Sequence, residues 1–264
     1  MNYGVVYKFK KHKKINGTLF YCFEYYIFLK QFIDINFYIV NISPDDLELI
    51  KTIFSQKYNV VPKDIISIKP TELYELNLDK TLILDVMSFY DCKEFLTNQI
   101  YCFSNDGHPM FRYKKANRKV TYYGSYDFQN YDIFTYLKFN FNIFKPITTN
   151  KSGVFISCMD ETYIKDKMSI YETKFQKPII IKKTNSGIGN IFDYVDAVHY
   201  VHMQFDKNNR IIPEAFYYGR DITIEETSSF ADSIKLRYND IKENGLDNYT
   251  LTKEDVIIKE FLKI

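Results

Sequence analysis

The sequence predicts an α/β fold made of two successive parallel-sheet domains, and three observations carry that prediction. Short apolar runs rich in Val, Ile, Tyr and Phe alternate with longer helical segments along the whole chain, the pattern that strand–helix–strand crossovers impose. The alternation stops once, at 146–152, where Pro146, Thr148, Thr149, Asn150, Lys151 and Ser152 interrupt the periodicity before Gly153. A length of 264 residues suits one large domain or two of ordinary size, and so accommodates that division. Residues 1–148 are therefore expected to form one domain and 149–264 the other.

The elements follow in order. Tyr3–Phe9 reads as the first strand, leading into a basic loop, Lys10–Thr18, that contains Asn16-Gly17. A helix over Leu19–Ile33 and a strand over Asn36–Asn41 come next. Ser43-Pro44-Asp45-Asp46 opens a second helix, with Ser as N-cap, Pro at the first helical position and carboxylates in the first turn. Strands are expected at Ile65–Ile68, Thr81–Val86 and Gln99–Phe103, with a helix around Phe89–Leu96. Residues 130–146 are a Tyr/Phe-rich connection. The second half repeats the alternation: strand Gly153–Ser157, helix Glu161–Lys174, strand Lys177–Lys182 and a loop with Gly187-Ile188-Gly189-Asn190. A short helix Ile191–Val195, strand Ala197–Val201, helix Arg210–Tyr218 stopped by Gly219, and strand Asp221–Glu225 follow. Thr252-Lys253-Glu254-Asp255 reads as a capping box before a last helix.

Composition excludes several classes. Hydrophobic residues are 46% and charged residues 26%, which is globular and not disordered. The 24 Tyr and 23 Phe, without Trp and beside abundant Lys, Asn and Ile, suggest an AT-rich genome and rings that mostly fill cores. No run of about 18 apolar residues spans a bilayer, and the start lacks the order of a signal peptide, so a cytoplasmic location is expected. Cys22, Cys92, Cys102 and Cys158 are widely spaced, which argues for core thiols over zinc or disulfides. Residues 1–146 carry 19 Lys and Arg against 15 Asp and Glu, a net +4, and the remainder is −2.

Chemistry concentrates in residues 191–222. There Asp196-Ala197 forms a turn, His199–Val201 an apolar strand, and Asp206 and Glu214 are followed by Ala215 and Gly219 in an acid-x7-Glu-Ala-x-x-x-Gly pattern. This segment resembles the donor-binding segment of nucleotide-sugar glycosyltransferases with the GT-B fold. The resemblance implies two Rossmann-like domains facing each other across a cleft, with the donor bound by the C-terminal one. It also implies a nucleotide-sugar donor, a UDP-sugar, and Glu214 as bidentate acceptor of the ribose hydroxyls. Asp206 stands where retaining members carry a Glu. Asn208, Asn209 and Arg210 lie at the helix entrance, where N–H groups and a guanidinium neutralise a diphosphate. Lys182 and Lys183, before the Gly187/Gly189 loop, offer ammonium groups to the leaving phosphate. The alternative for these residues is an i,i+4 surface pair, Arg210–Glu214, and a plain turn. His199 and His202 are three apart on a strand and so point to opposite faces; His199 is expected in the core and His202 near the donor. No carboxylate cluster suits a metal, so cations and a helix N-terminus are expected to stabilise the leaving group.

In the first half, Ser104-Asn105-Asp106-Gly107-His108-Pro109 follows a strand end, where Asp106 or His108 can deprotonate an acceptor hydroxyl; turn chemistry explains the same residues. Two basic runs also follow strands: Lys10, Lys11, Lys13 and Lys14, then Arg112, Lys114, Lys115, Arg118 and Lys119. With Tyr113, Tyr122 and Tyr123 available to stack, they suit a polyanionic acceptor, and otherwise they are solvated loops. The arrangement is similar to that of the T-even phage DNA glucosyltransferases, which implies duplex DNA as acceptor. A bacterial surface glycan is the alternative acceptor. A non-catalytic nucleic-acid-binding α/β protein is the alternative outside enzymes.

Overall fold

A computed structural model of the chain describes residues 1–9, 16–60, 65–84, 99–104, 120–124, 137–149, 152–158, 160–181, 191–202, 209–227 and 232–263. They form two units: Met1–Lys51, Val61–Asn142 and Thr250–Ile264 make the first, Thr52–Val60 and Ile143–Tyr249 the second. The main passage between them falls at 142/143, a few residues before the expected 148/149. Two short segments, 52–60 and 250–264, belong to the unit opposite to the one their position in the chain suggests.

The first unit holds a six-stranded sheet of β1 (Tyr3–Lys8), β2 (Ile35–Val40), β3 (Ile65–Ile68), β4 (Lys80–Ile83), β5 (Gln99–Ser104) and β6 (Val120–Gly124). All strands are parallel, in the order β3-β2-β1-β4-β5-β6, a Rossmann-like order with its switch point between β1 and β4. β6 was not among the expected strands, although Val-Thr-Tyr-Tyr has the β-branched and aromatic character that strands favour. Helix α1 (Gly17–Leu29) starts two residues earlier than expected because the Asn16 side chain accepts from the Leu19 N–H and acts as N-cap. It buries Leu19, Cys22, Phe23, Tyr26 and Leu29, and Tyr26 stacks on Phe37 of β2 at 5.7 Å. Aromatic abundance is thus core filling here: Tyr7, Tyr21, Tyr25, Phe23 and Phe37 are all fully buried.

Helix α2 (Pro44–Lys57) opens as expected, Ser43 Oγ accepting from the Asp46 N–H at 3.2 Å. A one-turn helix, α3 (Glu72–Glu75), precedes β4. The expected helix around Phe89–Leu96 lies outside the described residues.

The second unit holds β7 (Val154–Ser157), β8 (Ile179–Ile181), β9 (Ala197–His202) and β10 (Asp221–Glu226), parallel and in the order β10-β9-β7-β8. Counted within the unit this is 4-3-1-2, again doubly wound, with the switch point between β7 and β9. The helix expected over Glu161–Lys174 is two helices, α4 (Glu161–Asp166) and α5 (Met168–Phe175), separated at Lys167, whose ψ of 5° leaves the helical range. Ile191–Asp193 is a single 3-10 turn. Helix α6 (Ile211–Tyr217) ends at Gly219, whose φ of 63° closes the helix as expected. Helix α7 (Asp232–Asn244) had no expected counterpart.

The last helix, α8 (Val256–Leu262), is capped by Asp255, whose carboxylate accepts from the Ile257 and Ile258 N–H groups. Thr252 is not the cap; its carbonyl accepts the Asp255 N–H at 3.2 Å in the preceding turn. A buried carboxylate aimed at two orphan N–H groups makes the stronger cap.

Candidate functional site

Ligands of doubly wound sheets bind outside the carboxyl ends of the strands. In the second unit that edge is formed by Ser157, Ile181, His202 and Glu226, the last residues of β7, β8, β9 and β10. The chain leaves β8 directly into Lys182 and Lys183, and leaves β9 into the segment that ends at Asn209 and Arg210. His202 ends β9, paired with Glu226 in the register. Lys182, Lys183, Gly187, Gly189, Asp206 and Asn208 themselves lie outside the described residues. So do Asp106, His108, Lys10, Lys11, Lys13, Lys14, Arg112, Lys114, Lys115, Arg118 and Lys119.

Of the expected donor residues, Asn209, Arg210 and Glu214 come together at α6. The Asn209 side chain accepts from the Ile212 N–H at 3.1 Å, so it caps the helix, and its carbonyl accepts from Arg237 of α7 at 2.8 Å. Arg210 and Glu214 are indeed i,i+4 partners, but not on the surface: they are 8% and 3% exposed. Arg210 Nε and Nη2 both reach Glu214 Oε1, at 2.9 and 2.8 Å. Lys57 Nζ donates to Oε2 at 2.6 Å.

This arrangement bears on the ribose clamp expected of Glu214. One arginine supplies both donors to Oε1, and Lys57 takes one lone pair of Oε2, so a bidentate sugar contact requires one cation to yield. Burial pushes the Glu214 carboxyl up, but Lys57 and Arg210 outweigh it and hold it below the ordinary range. Glu214 is therefore a buried anion that fixes two cations. Lys57 escaped the sequence analysis because it is 157 positions away from Glu214 and ends α2 with no local motif. Tertiary contacts hold it: its Nζ lies 5.2 Å from the Phe144 ring centroid, and its carbonyl accepts the Lys145 N–H at 3.0 Å.

A second polar cluster lies on the face of the same sheet covered by α4 and α5. His199 is 1% exposed, as expected of a core residue, and it is also hydrogen-bonded at both ring nitrogens. Nδ1 is 2.7 Å from Thr223 Oγ1, and Nε2 is 3.0 Å from Glu225 Oε2. Glu225 further accepts from Tyr163 and Lys167 on Oε1, both at 2.7 Å, and from Tyr171 on Oε2 at 3.0 Å. Burial raises its carboxyl, but these donors together bring it down to about 2. Burial lowers His199, against the opposing pull of Glu225. The β-strand period accounts for the grouping, since His199 pairs with Thr223 and the alternate residue, Glu225, shares that face.

At the amino end of the sheet, Asp196 accepts from Lys177 at 2.6 Å and from Ser152 and Gly153 at 3.3 Å. The Asp196-Ala197 turn of the motif thus ties the start of β9 to the segment before β7. Cys22 and Cys158 are buried thiols, and among the described residues no helix is long and apolar enough to cross a membrane.

Comparison with protein-family models, curated proteins and solved structures yields no match.

Proposed function

We propose that the chain is a GT-B glycosyltransferase that moves a sugar from a nucleotide donor, a UDP-sugar, to an acceptor hydroxyl. The observation that carries the reading is the meeting of Arg210, Asn209 and Glu214 at the start of α6, the crossover helix between β9 and β10 of a doubly wound parallel sheet. Arg210 is the diphosphate ligand in this reading, and Glu214 with Lys57 holds its guanidinium in place before the donor arrives. Pre-set cations cost little reorganisation as the leaving diphosphate gains charge. His202 ends β9 at the carboxyl edge of that sheet, Lys182 and Lys183 follow β8 in the sequence, and Glu214 reaches the ribose when Lys57 moves off Oε2.

The test is calorimetry with UDP and with uridine. Arg210→Ala is expected to weaken UDP on the order of 10- to 100-fold, the loss of charge-assisted hydrogen bonds worth about 1.5–3 kcal/mol. Uridine binding should change little, because it carries no phosphate. Equal losses for both ligands would make Arg210 a purely structural partner of Glu214.

The acceptor proposed is duplex DNA carrying a hydroxylated base. In support, the Lys10–Lys14 run follows β1 and the 105–119 segment starts from the end of β5, so both leave the carboxyl edge of one parallel sheet, the second segment ending where β6 begins at the opposite edge. Asp106 and His108 are in the second of these segments and serve as acceptor-side base candidates. With four to six phosphates neutralised, log K against log salt should fall with a slope of about −4 to −5. Anisotropy with labelled duplex at several salt concentrations measures it. Absence of binding at low salt would turn the acceptor to a surface glycan.

A further inference from the structure

The hydroxyl, imidazole and carboxylate of Thr223, His199 and Glu225 form one continuous hydrogen-bonded chain. The Glu225 carboxylate is ionised and only accepts, so the Nε2 of His199 carries the ring proton. Nδ1 is then a bare lone pair, and Thr223 Oγ1 is the donor across the 2.7 Å contact. Thr223 is exposed, and its strand β10 is the edge of the sheet. The imidazole behind it is 1% exposed. Tyr171 and Phe175 hold that ring from the sides, their centroids 5.3 and 5.1 Å away. Glu225 is itself fixed by Tyr163, Tyr171 and Lys167.

We propose that Thr223 is a nucleophile toward carboxylic esters, with His199 as its general base and Glu225 as the residue that positions the base and compensates its charge. The constellation has the roles of a hydroxyl–imidazole–carboxylate triad with the two ring nitrogens exchanged. The site is separate from Arg210 and Glu214 and does not depend on the glycosyl-transfer reading.

The chemistry balances within the site and solvent. Thr223 Oγ1 bonds to the ester carbonyl carbon as its proton passes to His199 Nδ1, and the carbonyl π pair moves onto oxygen. Collapse expels the alcohol, which takes that proton from Nδ1, and leaves an acyl-threonine. Water, deprotonated by the same nitrogen, then releases the carboxylic acid. A donor for the oxyanion is supplied by the strand edge. The Asp221 N–H donates to Asp196 O at 3.1 Å, so Asp221, Thr223 and Glu225 turn their N–H groups toward β9. The intervening Ile224 N–H faces the open edge, one residue from the nucleophile.

The test uses p-nitrophenyl acetate with the full chain, followed by intact mass and peptide mapping. One acetyl group is expected on Thr223, with a p-nitrophenolate burst retained in T223S and reduced at least about tenfold in T223V. H199Q should slow the burst by about 100-fold or more. T223V removes the Oγ1 donor to the buried His199 Nδ1, so its fold is checked by circular dichroism, and T223S, which keeps that donor, is the folded control. An acetyl group mapped elsewhere, or an unchanged burst in T223V, overturns the proposal.

The positioning role of Glu225 has its own signature. Burial, Lys174 and Lys167 disfavour the protonated ring and Glu225 favours it, while Tyr171 and Phe175 of α5 pack against the ring. E225Q should therefore shift the pH–rate inflection to lower pH. An inflection that stays in place removes Glu225 from the relay.

Discussion

Glu225 draws more donors than any other described carboxylate in the second unit, and its protonation should be visible in stability. Its carboxyl, ordinarily near 4.5, is brought to about 2 in the folded protein. A group depressed on folding stabilises the native state above its unfolded value and loses that contribution as pH falls through the folded one. Stability attributable to Glu225 is thus complete above about pH 5 and drains away between about 4.5 and 2. Urea denaturation across that window should show a steeper fall for the wild type than for Glu225→Gln, which has no carboxyl to titrate there. At the same scale, the legible and illegible parts of the site separate cleanly. The spacing of Arg210 and Glu214 announced a helical pair, and strand alternation put His199 inside. Nothing local announced that Lys57 would be the third member, nor that Thr223 and Glu225 would meet His199 across a parallel register. Such contacts are set by pairing between segments far apart in sequence.

At the scale of elements, capping and turn chemistry were the most readable. Ser43-Pro44 opened α2 and Gly219 closed α6 because each residue type satisfies a specific backbone demand. Gly219 shows how specific the demand is. Its φ is 63°, the Gly219 and Arg220 N–H groups return to Phe216 and Ala215 carbonyls at 3.0 and 2.9 Å, and a Cβ there would meet nothing within 4 Å. Only the left-handed backbone opposes a side chain. Gly219→Ala should cost about 1–2 kcal/mol with no steric part, measured as a lower urea midpoint at unchanged slope. A loss much above that range would mean that α6 itself had shifted. Boundaries misjudged from sequence share another cause. Asn16 capped α1 so that it starts two residues ahead of the expected Leu19, Asp255 replaced Thr252 as the cap of α8, and Lys167 broke one long helical pattern into two, because several adjacent residues were able to cap or interrupt and packing chose among them.

Two doubly wound sheets were legible from the alternation of strand and helix, but the path of the chain between the units was not. A cut at 148/149 looks natural in the sequence, yet it severs both units. Residues 1–148 would lack the 250–264 segment, which supplies buried Ile257, Ile258 and Phe261 to the first unit, the Leu251 N–H to Phe139 O at 2.7 Å, and the Phe261 carbonyl to Lys80 at 2.9 Å. Residues 149–264 would keep Glu214 and Arg210 but lose Lys57, and with Lys145 the carbonyl that Tyr218 bonds at 3.0 Å. Breaking one buried ion pair costs about 3–5 kcal/mol, against a total of about 5–15 kcal/mol for an ordinary domain. The loss of three buried apolar side chains, at about 1.5–3 kcal/mol each, is comparable. Both fragments should therefore fail to fold alone, giving weak far-ultraviolet dichroism and no cooperative melt. Replacing residues 143–249 by a Gly/Ser linker instead keeps every segment of the first unit, and that chain should melt cooperatively. If the 1–148 fragment is as stable as the linked chain, the terminal segment contributes nothing to the first unit, and the division of the molecule drawn above is wrong.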